Sequence, residues 1–320
     1  MYDIIIIGSG PAGLTAGIYA SRANMKTLMI ASSFSPSLIT TTDLVENYPG
    51  FPDGISGFEI IERFTQQAIK FGMETAEADV TAVSPTSPDG PSLWKVDAGG
   101  KTYEASALII ATGTQYAHLH VPGEDEFTGR GVSYCATCDG PFYRGMNVVV
   151  VGGGDTAVQE ALFLTRFADT VTIVHRRDRL RATGILRDRA AANAKIRFEF
   201  NSVVEEITGD TAVTGVVIRD VDCPEKKKTL NAQGVFIFTG NIPNTAFLGS
   251  LVECDDAGYI RVDENMRTST QGIFACGDCT AKLLRQVVTA CGDGATAAFA
   301  AEHYINDLKG TSYGEWNRSQ

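Results

Sequence analysis

The chain has 320 residues, 44% of them hydrophobic, enough for two ordinary domains with cores of their own. A formal net charge of −11 sets aside a nucleic-acid backbone as partner. No stretch of 18 apolar residues occurs, so no membrane span is predicted.

The start, Met1-Tyr2-Asp3 before four isoleucines, lacks the basic n-region of a secretory signal. Ile4 to Ile7 is a continuous apolar run, the pattern of a buried parallel strand. Gly8-Ser9-Gly10-Pro11-Ala12-Gly13 follows, then a helical segment to about Ser21 and a second strand over Thr27 to Ile30. This is Gly-x-Gly-x-x-Gly in strand–turn–helix–strand context. The first glycine makes the turn and the second admits a pyrophosphate. The third packs helix on strand, and the helix start faces the phosphate charge.

Further along, Pro85, Pro88, Asp89 and Gly90 mark a hairpin, and Leu108 to Gly113 reads as a buried strand ending in Thr112-Gly113. Next comes Cys135-Ala136-Thr137-Cys138-Asp139-Gly140, whose Cys-x-x-Cys pair can close a small disulfide ring and exchange with other disulfides. Then the first unit returns. Gly8, Gly10 and Gly13 align without a gap with Gly152, Gly154 and Ala157, and Asp155 and Thr156 open the second helix. The repeat extends to its far end, where Val235 to Gly240 resembles Leu108 to Gly113. Pro224 with Lys226-Lys227-Lys228 is expected at a solvated hairpin tip. The tail contains Gly277-Asp278 and a helical run from about Gln286 to Leu308.

The predicted fold is therefore α/β, with two Rossmann-like three-layer dinucleotide-binding domains, the second inserted into the first. The expected boundaries are 1–114 with 246–320 for the outer domain and 115–245 for the inserted one. Where an acid would bind a ribose hydroxyl, the second unit has His175-Arg176-Arg177 with Arg181 a helical turn on. Fixed guanidinium charge there favours a 2′-phosphate, hence NADPH over NADH. The first unit has Ala31-Ser32 at that place, with neither charge. Seven cysteines, an odd number, suggest a reducing cytoplasm with most thiols free and one pair catalytic. A redox dithiol beside an electron-carrier site points to an enzyme that reduces disulfides.

Taken together, these motifs resemble those of the low-molecular-weight thioredoxin reductases, flavoproteins of the pyridine nucleotide–disulfide oxidoreductase group. The resemblance spans nearly the whole chain. Besides the residues above it rests on Glu46-Asn47-Tyr48-Pro49-Gly50, Pro243-Asn244-Thr245 and Arg285-Gln286. It implies FAD in the first unit, touched by Gly8 to Gly13, Thr42, Asn47, Thr112, Gly113, Gly277, Asp278, Arg285, Gln286 and Val287. It implies NADPH in the second, held by Gly152, Gly154 to Ala157, His175, Arg176, Arg177 and Arg181. By the same resemblance Cys138 meets the flavin, Cys135 attacks thioredoxin or a thioredoxin-like protein, Asp139 moves protons, and the enzyme is a homodimer.

Three departures stand out. Pro36-Ser37-Leu38-Ile39 replace the family's Gly-Gly-Gln-Leu, Ala31-Ser32 replace an acid or glycine, and Cys276 and Cys279 flank Gly277-Asp278. The last two thiols read as packing residues, with a second redox pair or half of a zinc site as competing readings. Competing functions are a related flavin reductase serving a peroxidase system or a small-molecule disulfide, and a flavin redox sensor without turnover.

Overall fold

The computed structural model describes residues 1–32, 37–42, 44–87 and 93–311. Pro36 and the Pro88-Asp89-Gly90 turn lie outside the described residues. The chain forms two compact units, Met1–Gln115 with Ile242–Gln320, and Tyr116–Asn241.

In the first unit the isoleucine run forms β1 (Tyr2–Ile7). Ile4 and Ile6 enter one core, Ile5 and Ile7 the other, so the strand must be covered on both faces. α1 (Pro11–Arg22) follows, then β2 (Thr27–Ala31), parallel to β1 with Ile4 opposite Thr27. α2 (Gly57–Lys70) starts at Ser56, whose hydroxyl accepts from the Glu59 amide at 3.1 Å. β3 (Glu74–Glu77) extends the sheet beside β2. β4 (Val80–Pro85) and β5 (Trp94–Ala98) then form an antiparallel hairpin. β6 (Lys101–Ile110) serves two partners: its first half pairs antiparallel with β5, and its buried second half runs parallel to β1.

The chain crosses to the second unit along β7 (Thr114–Tyr116), then forms the short α3 (Glu124–Phe127), β8 (Val132–Ser133) and α4 (Ala136–Asp139). The repeated motif follows as β9 (Asn147–Gly152), α5 (Asp155–Leu164) and β10 (Thr170–Val174). α6 (Gly184–Ala192) and β11 (Ile196–Glu199) complete that half. β12 (Ser202–Gly209), β13 (Val213–Asp220) and β14 (Lys227–Asn231) make an antiparallel meander, and β15 (Gly234–Phe238) returns to a parallel sheet of order β11-β10-β9-β15-β8. The lysines are not a hairpin tip as a group. Lys227 and Lys228 lie in β14, paired with Glu205 and Glu199, and the turn before them takes only Lys226.

The return crossing, β16 (Asn241–Pro243), pairs with β7 as a two-stranded ribbon. β17 (Ile273–Ala275) then runs parallel to the end of β6. α7 (Val287–Lys309) closes the first unit and ends at Gly310, which adopts the left-handed φ of +67°.

Candidate active site

The first glycine of each unit is fixed by the same steric demand. Gly8 has φ +113°, and a Cβ there would stand 2.3 Å from the Ala111 carbonyl oxygen. Gly152 has φ +149°, and its Cβ would stand 2.4 Å from the Phe238 carbonyl oxygen. In both units the turn passes against the end of the neighbouring parallel strand, so only glycine fits.

Both helices that follow begin uncapped. α1 has extended Gly10 at its N-cap with no side-chain hydrogen bond, and Pro11 has no amide hydrogen. α5 has Gly154 in the same place, again without a cap, and apart from its chain neighbours no described residue lies within 4 Å of where its Cβ would be. The free amides at a helix start need an acceptor, and a pyrophosphate supplies one. The residues present therefore fit a dinucleotide in each unit. Ser9 and Ala12 belong to the first turn, Asp155 and Thr156 to the second. Asp155 accepts from the Thr183 amide at 2.6 Å and so ties the segment before α6 to the start of α5. Ala157 is buried beneath its turn.

Several first-unit residues far apart in sequence are brought together. Asn47 donates to the Gln286 side chain at 2.8 Å across 239 positions. Gln286 is the N-cap of α7, its side chain accepting from the Thr289 amide and its amide donating to the Thr289 hydroxyl. Val287 packs beside Tyr48 and Ile60. The Thr42 carbonyl accepts from the Gly57 amide at 3.0 Å, which links it to the start of α2. Thr112 donates its hydroxyl to the Asn244 carbonyl at 2.7 Å, and the Gly113 carbonyl accepts from the Asn244 amide at 3.0 Å. Arg285 is already engaged: it donates to the Asp278 and Thr280 carbonyls and lies 4.0 Å over the Tyr259 ring.

Asp278, after Gly277, is the most informative residue here. Its Oδ1 is buried and has no hydrogen-bond partner among the described residues. Burial raises its pKa, opposed by the charges of Lys282 and Arg285. A buried carboxylate oxygen without a donor fits a ligand hydroxyl. Lys282 and the nearby Asp293 carried no motif and were not singled out from sequence. The one available signal was an acid within the small-residue run Ala290 to Ala298.

In the second unit His175 is buried, and a Cβ on Gly153 would meet its ring at 2.5 Å. Burial lowers its pKa, and the charges of Arg181, Arg177 and Arg176 lower it further, so the ring is neutral at pH 7. The Arg181 amide donates to the Gly153 carbonyl at 2.7 Å, which holds Arg181 beside the turn. Arg176, Arg177 and Arg181 are exposed. Among the described residues no carboxylate lies within ion-pair distance of any of the three.

Cys135 and Cys138 form a disulfide, with Cα atoms 5.4 Å apart. Cys135 is the N-cap of α4, and its sulfur accepts from the Cys138 amide at 3.0 Å. Cys138 is exposed, while Cys135 and Asp139 are half-buried. The Asp139 side chain does not cap the 3₁₀ turn that follows. Cys276 and Cys279 are free thiols, buried in the two different cores of the first unit. Burial raises both pKa values, that of Cys279 to about 11. Among the described residues no group of His, Cys, Asp and Glu could hold a metal. Cys279 Sγ donates to the Cys276 carbonyl at 3.3 Å.

A redox disulfide beside one of two phosphate-ready turns defines a dinucleotide-dependent disulfide oxidoreductase. The family model described as pyridine nucleotide-disulphide oxidoreductase matches residues 2–294. A thioredoxin reductase from Listeria monocytogenes is 50% identical over 97% of this chain and 95% of its own length. The solved thioredoxin reductase of Lactococcus lactis has a TM-score of 0.92 and 42% identity, covering 96% of this chain and all of its own. A ferredoxin-flavin thioredoxin reductase from Clostridium acetobutylicum matches at TM-score 0.51 and 32% identity, over 97% of this chain and 98% of its own. The chain belongs to the pyridine nucleotide-disulphide oxidoreductase family, in its thioredoxin reductase branch.

Proposed function

We propose that the chain reduces the disulfide of thioredoxin, or of a thioredoxin-like protein, with electrons from NADPH. FAD is assigned to the first unit, at Gly8 to Gly13, Thr42, Asn47, Thr112, Gly113, Gly277, Asp278 and Arg285 to Val287. NADPH is assigned to the second, at Gly152, Gly154 to Ala157, His175, Arg176, Arg177 and Arg181. The observation that carries the reading is the Cys135–Cys138 disulfide, with Cys138 exposed and a second dinucleotide turn in the same unit.

The bound flavin supplies two-electron chemistry between the nicotinamide and the dithiol. The chain's own residues do the rest. The uncapped starts of α1 and α5 bind the two pyrophosphates. The exposed arginines take the 2′-phosphate. The Cys138 amide donates to Cys135 Sγ in the disulfide form, and the family resemblance makes Cys135 the attacking group once the pair is reduced. Its sulfur bonds to one sulfur of the substrate disulfide and expels the other as thiolate. The Cys138 thiolate then attacks Cys135 Sγ, restores the internal disulfide and releases the second substrate sulfur. Two protons end on the substrate thiols, and Asp139 is the carboxyl placed to move them.

A second reading has a ferredoxin as donor, as the name of the Clostridium structure says of that protein. The unpaired exposed arginines favour the nucleotide. We further assign a homodimer in the cytoplasm, supported by the family resemblance and the free thiols. No helix among the described residues is long and apolar enough to cross a membrane. The test is a coupled assay of the FAD-loaded protein with NADPH against thioredoxins, glutaredoxins and small disulfides. Thioredoxin turnover with NADPH supports the reading; turnover with reduced ferredoxin alone overturns the donor assignment.

A further inference from the structure

Two carboxylates in the first unit share one ammonium unevenly. Lys282 Nζ donates to Asp293 Oδ2 at 2.6 Å, while its distance to Asp278 Oδ1 is 3.8 Å. The first is a hydrogen bond; the second is ion-pair attraction without one. Asp293 Oδ2 also accepts from the Gly277 amide at 3.1 Å, so α7 grips both the residue before Asp278 and the lysine beside it. Asp278 therefore feels the lysine's charge, yet its Oδ1 stays buried without a donor.

We propose that Lys282, restrained by Asp293, is a positioning residue for the flavin nucleotide: it holds the Asp278 carboxylate ready to accept a hydroxyl of the bound FAD. The inference rests on the assignment of FAD to the first unit. Had Lys282 closed onto Asp278, it would take one of the acceptor sites of that carboxylate. Had it been absent, Asp278 and Asp293 would face each other as like charges, with the burial of Asp278 adding to the cost of ionisation. The other titratable groups here do not replace it. The Arg285 guanidinium, held by backbone carbonyls and by Tyr259, also favours the charged Asp278, but less than Lys282 does. The Cys276 and Cys279 thiols around the same turn are kept neutral by burial.

The test uses the full chain freed of flavin, titrated with FAD between pH 6 and pH 9. Native protein should bind with little pH dependence. Lys282→Met should bind at least tenfold more weakly at pH 6 and regain affinity as pH rises, because loss of the lysine's charge leaves the Asp278 carboxyl harder to ionise. Lys282→Arg should stay within about threefold of native, since it keeps the charge. Asp293→Asn loosens the restraint and should weaken binding at every pH. The double variant Lys282→Met with Asp293→Asn removes one charge of each sign, and should lose less at pH 6 than Lys282→Met alone. Native-like affinity in Lys282→Met across the range overturns the proposal. So does an equal loss at every pH in both Lys282→Met and Lys282→Arg, which marks a packing role. If the native chain itself fails to take up FAD, the cofactor assignment fails instead.

Discussion

The Tyr134 hydroxyl donates to the buried Glu124 carboxylate at 2.6 Å, and Tyr134 is the residue immediately before Cys135. The same carboxylate accepts from the amides of Leu119 at 2.9 Å and His120 at 2.6 Å. Burial would raise the Glu124 pKa, but these hydrogen bonds outweigh it and hold the pKa below the ordinary carboxylate value. Glu124→Ala leaves buried donors without an acceptor and is expected to cost about 3 kcal/mol. A group with a depressed folded pKa stabilises above its unfolded pKa, and that contribution is lost as pH falls through the folded value. The gap between native and variant urea midpoints should therefore be full at pH 7 and shrink as pH drops below the ordinary carboxylate range. A gap that stays constant with pH would show that Glu124 acts only by packing.

Cofactor preference should follow the arginines. The native protein is expected to prefer NADPH over NADH in kcat/KM. Arg176→Ala with Arg181→Ala should remove most of that preference, because each charge-assisted contact to a phosphate contributes about 1.5–3 kcal/mol. Steady-state kinetics with both nucleotides decides. Equal efficiency in the native protein would refute the 2′-phosphate assignment.

Only one of the two Cys-x-x-Cys pairs should work. Cys135→Ser and Cys138→Ser should each abolish thioredoxin reduction while FAD remains bound and reducible by NADPH. Cys138→Ser should also trap a mixed disulfide with thioredoxin through Cys135, visible on a non-reducing gel. Cys276→Ser and Cys279→Ser should keep most activity, because burial keeps both thiols protonated and unreactive. Loss of turnover in either, with flavin retained, would make the buried pair catalytic.

Asp139→Asn should slow disulfide turnover far more than it lowers the melting temperature. The competing role, a helix cap with a contribution of about 1 kcal/mol, has no hydrogen bond to support it in the structure. A variant that loses melting temperature but keeps its rate would restore the cap.

The double dinucleotide fold was readable because one steric demand recurs. A glycine below a strand-end carbonyl leaves a glycine in the sequence, and Gly8 and Gly152 record it twice. Contacts across the fold left no such mark. Asn47 and Gln286 were each singled out by resemblance, yet nothing in either stretch says that they touch. Tyr134 with Glu124, and Lys282 with Asp293, join residues of ordinary type whose meaning lies in who is buried beside whom. Lys227 and Lys228 misled in the opposite direction. A charged run reads as a turn, but an exposed strand with glutamates nearby holds lysines equally well.

The two crossings, β7 and β16, run side by side as paired strands, so the second unit leaves and re-enters the first at points about 5 Å apart. A segment whose ends meet can be spliced into a loop of its host without stretching it. The whole segment Tyr116–Asn241, which carries Cys135 and Cys138, is therefore one piece bounded by these two strands.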